Sequence, residues 1–170
     1  MKKSIIIVFL AIFTAFSCST DNEDDSGNTQ ETTINLLGTW VLTDLRIDEN
    51  TNDDDLNFAK QLLDAFSALD CDIVTFTFRN DNTVTSEDKT NFIIQNVTAG
   101  AGGLSVDCPT ESVSETTTWS LDGDQLTFIN DDLEEETITI ELEDENTLII
   151  AGSDINANNY TGADAVFTKQ

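Results

Sequence analysis

The feature that most constrains this chain is its cadence of short alternating runs broken by tight-turn residues. Residues 136–143 alternate without interruption, with Ile138, Ile140 and Leu142 set between Thr137, Thr139, Glu141 and Glu143. A side-chain period of two belongs to a strand with one buried and one wet face. Comparable runs occupy residues 38–47, 73–79, 83–87, 91–97, 115–121, 125–129, 147–151 and 163–169. Asn80-Asp81-Asn82, Asp122-Gly123-Asp124 and Asp144-Glu145-Asn146 separate neighbouring runs, and such residues favour hairpin turns. A glycine-rich stretch at 98–103 is expected as a flexible loop. Only residues 56–69 change period. There Ala59, Leu62, Leu63, Phe66 and Leu69 recur at helical spacing, and Asp53, Asp54 and Asp55 precede them where a cap and first-turn acids belong. The expectation is an all-β fold: an antiparallel up-and-down barrel of about eight to nine strands, with one helix after the first strand. Closure would remove the sheet edges. A two-sheet sandwich is the other architecture open to such a strand train.

Composition bounds the function. The chain has 170 residues, 39% of them hydrophobic, which supports a single folded domain. It carries 33 acidic against 7 basic residues, a formal net charge of −26. Nucleic acid is thereby excluded as a partner, since almost nothing could neutralise phosphates. There is no histidine. That removes the commonest general base and zinc ligand, and with them Ser-His-Asp, Cys-His and histidine–zinc chemistry. With so many acids, paired carboxylates arise by chance and do not mark glycosidase chemistry. Asp48, Asn50, Asn52 and Asp53 begin like a calcium loop. The sixth position, however, is Asp53 where glycine is needed, and the twelfth is Ala59 where glutamate is needed. The glycine-rich loop has no lysine beside it to hold phosphate. No enzyme, metal or cofactor is expected.

The N-terminal segment reads as an address. Lys2 and Lys3 precede an apolar run at 5–16, followed by Ser17 and Cys18. That order is a secretory leader, and the run is too short to span a bilayer. Ala15-Phe16-Ser17-Cys18 resembles a bacterial lipobox. The resemblance implies removal of residues 1–17 and lipidation of Cys18, which would anchor the protein in the cell envelope, at the outer membrane of a Gram-negative bacterium. Residues 18–33 are polar and acidic, a solvated tether. They serve as a simple spacer or as a signal for display at the cell surface. The folded domain is expected over 34–170. With Cys18 lipidated, Cys71 and Cys108 remain, either as a disulfide, which an exported chain can keep, or as buried thiols.

Gly38-x-Trp40 opens the first strand, Cys71-Asp72 precedes Thr75-Phe76-Thr77-Phe78, and Thr118-Trp119-Ser120-Leu121 leads into Asp124-Gln125-Leu126-Thr127. This set resembles the lipocalin-like domains of bacterial lipoproteins. The resemblance implies a barrel whose tryptophan plugs the closed end. The arginine that animal lipocalins carry near the last strand is missing, and Lys169 is the only nearby cation. Strand parity turns Trp40, Phe76, Phe78, Trp119, Leu121, Leu126, Phe128, Ile138, Ile140, Leu148, Ile150 and Phe167 inward. If the barrel is hollow, Trp40, Phe76, Phe78, Trp119, Phe128, Ile138 and Ile140 are the candidate contacts of a small hydrophobic or amphipathic ligand. If it is filled, they are core, and the acidic exterior becomes a protein-interaction surface. The helix can serve as a lid or pack on the wall.

Overall fold

The computed structural model describes residues 35–100, 103–130, 132–156 and 161–170. The expected leader, Cys18 and the tether lie outside these. In chain order the elements are β1 (Gly38–Ile47), α1 (Asp54–Ser67), β2 (Val74–Phe78), β3 (Thr83–Asp88), β4 (Val97–Gly100) and β5 (Gly103–Val106). There follow β6 (Val113–Asp122), β7 (Gln125–Ile129), β8 (Glu135–Asp144), β9 (Thr147–Ala151), α2 (Gly152–Asn156) and β10 (Ala163–Lys169).

Eight strands close a barrel in the order β1-β10-β9-β8-β7-β6-β3-β2, every pair antiparallel. The closing pair sets Trp40 opposite Lys169 and Ile47 opposite Ala163, with a bulge between Leu42 and Asp44. A bulge bends its strand, as a closing sheet requires. Hydroxyls tie neighbouring strands together: Thr39 with Thr77 at 3.2 Å, Thr43 with Thr168 at 2.8 Å, Thr85 with Thr116 at 2.7 Å and Thr127 with Thr137 at 2.8 Å. Such cross-strand pairs each contribute a fraction of a kcal/mol and give the many threonines a structural role. The β6–β7 hairpin turns at Gly123, which supplies a φ of 63°.

Two expectations are corrected. Residues 91–97 are not a strand. Two 3-10 turns, Thr90–Phe92 and Ile94–Asn96, occupy most of the segment. Its apolar residues Phe92, Ile93 and Ile94 are consecutive, so no alternation exists to bury one face. Asn96 closes the turn by donating its side-chain N–H to the Phe92 carbonyl at 2.8 Å. Of the expected loop at 98–103, residues 98–100 instead belong to β4 and Gly103 to β5, which pair as a two-stranded sheet separate from the barrel. The barrel therefore has eight strands, the β3-to-β6 connection makes this excursion, and α2 is an additional one-turn helix.

Helix α1 begins and ends as local chemistry dictates. Asp53 caps it, accepting the N–H groups of Asp55 at 2.8 Å and Leu56 at 3.1 Å. At the other end Cys71 N–H bonds to Phe66 O and Asp70 N–H to Ser67 O, with Asp70 at φ 53°. That is a Schellman closure built on aspartate instead of glycine.

Two apolar clusters result. The larger lines the barrel interior and contains all twelve residues expected to point inward, together with Leu36, Leu45, Leu63, Val84 and Ala165. The smaller joins Phe66, Cys71 and Ile73 to Leu62, Ile93, Val97 and Val106, and so packs the excursion against α1. Cys71 and Cys108 form a disulfide across it, with Cα atoms 5.7 Å apart.

Candidate ligand-binding site

The two ends of the barrel differ. The end that holds the start of β1 is sealed. Trp40 is completely buried, and its indole N–H donates to the Leu36 carbonyl at 2.7 Å. Gly38 sits at φ 121°, and a Cβ there would lie 2.9 Å from Lys169 Cε. The positive φ is what calls for glycine, since an L side chain would be strained there, and the lysine stem passes over the space that is left. Lys169 Nζ lies 5.1 Å from the Trp40 ring centroid, so the cation at the end of the last strand stacks on the tryptophan. Leu36, Ile140 and Leu148 complete the seal, each almost fully buried.

The other end is hollow. A cavity of about 1120 Å³ runs inward from the mouth formed by α1, the 3-10 turns, the β7–β8 turn and α2. This is slightly more than the roughly 300–1,000 Å³ of pockets that hold a drug-sized molecule. Its deepest part is aromatic. Phe167 and Phe76 have centroids 5.2 Å apart, Phe76 and Phe78 6.4 Å, and Phe78 meets Trp119 edge-on at 5.2 Å. The Trp119 indole N–H is satisfied by the Thr83 carbonyl at 3.1 Å, so these rings present an apolar surface with no unpaired donor.

Five of the seven candidate contacts therefore border the cavity: Phe76, Phe78, Trp119, Phe128 and Ile138. Trp40 and Ile140 do not border it. They belong to the sealed end, where they are buried against protein. Strand parity placed all seven inside but could not say how far along the axis each lies.

Helix α1 lies across the mouth. Ala59, Leu62, Leu63 and Phe66 border the cavity, and Ala59 and Leu63 also join the barrel core. An ion pair from Lys60 to Asp44, next to the β1 bulge, pins the helix to the wall. The rim also carries Ile94, Leu133 and Ile155, which are 87%, 85% and 48% exposed. Sequence reading missed these, because each lies in a turn or one-turn helix where no periodicity marks a face. Asp53, from the calcium-like stretch, is the helix cap described above. Among the described residues no cluster of three or more His, Cys, Asp or Glu is disposed to hold a metal ion, and no helix is long and apolar enough to cross a membrane.

Comparison with known proteins places the chain. A search of the curated proteins gives no match. Among solved structures, it is similar to a lipocalin-like protein from Bacteroides uniformis at 13% identity and a TM-score of 0.40, covering 79% of this chain and 98% of that one. An uncharacterized protein from Bacteroides eggerthii is similar at 11% identity and a TM-score of 0.40, covering 80% and 100%. The sequence model of the lipocalin-like domain matches residues 36–150, well over half of the chain. The protein therefore belongs to the lipocalin-like domain family.

Proposed function

We propose that this protein is a lipid-anchored carrier of the bacterial cell envelope that holds a small hydrophobic or amphipathic molecule in its barrel. The observation that carries the binding reading is the cavity of about 1120 Å³ walled by Phe76, Phe78, Trp119, Phe128 and Ile138. A side-chain-filled barrel acting only through its acidic exterior would have no need of that space. Apolar surface of this extent in contact with water is costly, and a ligand that displaces the water gains its burial energy. The reading is of a binder and not an enzyme, in keeping with a chain that has no histidine. The anchor rests on the lipobox-like Ala15-Phe16-Ser17-Cys18.

Titration with Nile red, a neutral probe, tests the binding. Saturable one-to-one fluorescence enhancement is expected in wild type. Ile138→Asp, which sets a charge on the apolar wall, should weaken binding about tenfold or more while the protein stays folded, since an apolar ligand would leave that charge desolvated and unpaired. Absence of saturable binding, or unchanged binding by the folded variant, refutes the reading. The anchor is tested separately. The intact mass of protein from its host should show loss of residues 1–17 and a lipid on Cys18, and Cys18→Ser should move the protein from the membrane to the soluble fraction.

A further inference from the structure

The cavity is apolar inside, but its mouth is not neutral. The inward positions change character from the sealed end to the mouth. On β3 they run Val84, Ser86, Asp88; on β6, Leu121, Trp119, Thr117, Glu115; on β8, Ile140, Ile138, Glu136. On β3 and β8 of the continuous β3-β6-β7-β8 wall the outermost inward position is thus an acid, and on β6 Glu115 stands one inward step inside Val113, the partner of Asp88. Acids normally take the wet face of an alternating strand, so their presence on the inward face is unusual. Asp132 in the β7–β8 turn and Asp154 in α2 also border the cavity.

Among the described residues no lysine or arginine borders the cavity. Lys89 stands between the bordering residues Asp88 and Thr90 without bordering it. The ion pairs Arg46–Glu143 and Lys60–Asp44 lie off the cavity wall. The rim carboxylates accept from neutral groups instead: Asp88 from Thr90 N–H at 2.7 Å, Glu136 from the Asn130 side chain at 3.3 Å, Asp154 from Thr139 N–H at 3.4 Å. A carboxylate has about four acceptor sites, so capacity remains on each. Nor are these acids gathered as a metal ion would require.

We propose that the cavity selects amphipathic molecules with a cationic head, an alkyl ammonium or guanidinium on an apolar body, and rejects fatty acids. This rests on the carrier reading above: the aromatic interior takes the apolar body, and the acidic rim fixes the sign of the head. A fatty acid seated on Phe76 and Phe128 would bring its carboxylate among like charges. An ammonium on the same chain would meet Asp88, Glu136 and Asp154.

The test is displacement of Nile red by dodecylammonium, dodecanol and dodecanoate, each below its micelle concentration. Dodecylammonium should compete about tenfold better than dodecanol, the size of a few partly screened charge contacts, and dodecanoate worse than dodecanol. The difference should shrink at about 0.5 M salt, where screening is short-ranged. The rim variant Asp88→Asn/Glu136→Gln/Asp154→Asn should bring the three within about twofold of one another, as the loss of those contacts requires. A variant with the same charge change at the sealed end, Asp122→Asn/Asp124→Asn/Glu141→Gln, should keep the order. Equal competition by all three in wild type overturns the inference while leaving the carrier reading intact. So does a sealed-end variant that erases the order as fully as the rim variant, because the net charge alone would then explain it. Failure of both Nile red and dodecanol to bind overturns the carrier reading, and this inference with it.

Discussion

Trp40→Phe separates the seal from the site. The substitution removes the indole N–H that reaches the Leu36 carbonyl at 2.7 Å in a fully buried setting. Leaving that carbonyl unpaired costs about 1–3 kcal/mol. The smaller ring also leaves a void beside Leu36, adding about 1 kcal/mol if the seal does not collapse. The ring face under Lys169 survives, so the cation contact is largely retained. The total is about 2–4 kcal/mol, a large share of the stability of an ordinary domain. In urea unfolding, with a slope of about 1–3 kcal/mol per molar, the midpoint should fall by about 1–2 M. Trp40 does not border the cavity, so Nile red affinity of the folded variant should stay within about twofold, as expected for a residue that makes no ligand contact. A midpoint shift worth under about 1 kcal/mol would refute the energetic argument. Loss of binding in a folded variant would refute the division of the barrel into seal and site.

Three further outcomes follow from particular contacts. Reducing Cys71–Cys108, which spans 37 positions, should cost about 4 kcal/mol by loop-closure entropy; urea unfolding with and without reductant measures it, and a difference under about 1 kcal/mol would contradict the assignment. Asp70→Gly should stabilise by about 0.5–1 kcal/mol, because φ 53° strains any L-residue and an acid at a helix C-terminus opposes the dipole; thermal unfolding should show a rise of about 2–4 °C. Asp81, which accepts the hydroxyl and N–H of Thr83, and Asp144, which accepts Asn146 N–H, are held below the ordinary aspartate range by those hydrogen bonds. Their contribution is therefore present above the unfolded-chain value and lost as pH falls through the lower folded value. Carboxyl NMR titration should show both midpoints below that of a reference peptide, and midpoints at or above it would be decisive against the turn geometry.

The barrel was legible because its strands announce themselves twice, by alternation and by the turns between them. Ile138, Ile140 and Leu142 needed only parity to be placed inside, and Asp53 needed only its position before an amphipathic run to be read as a cap. Residues 90–106 carried neither mark. Ile93 faces a local cluster around the disulfide that α1, far away in sequence, supplies, whereas its neighbour Ile94 is exposed on the rim. The hollow end was illegible for a different reason. Parity tells which way a side chain points, whereas empty space depends on how far side chains from eight strands reach toward one axis. The acidic rim could have been read. Asp88, Glu115 and Glu136 share parity with Val84, Trp119 and Ile138, but an alternation scored only on its apolar members passes over them.

The Leu36–Trp40 seal also gives the molecule a polarity. The described chain enters beside Leu36 and leaves at Gln170, whose N–H bonds to the Thr39 carbonyl at 2.9 Å. Both ends of the domain thus emerge at one pole. The mouth forms the opposite pole, about 25 Å away for a ten-residue strand tilted as barrel strands are. Any linker grafted at either end, to a bead, a sensor surface or a fused protein, would grip the barrel by its base and leave the opening pointed outward.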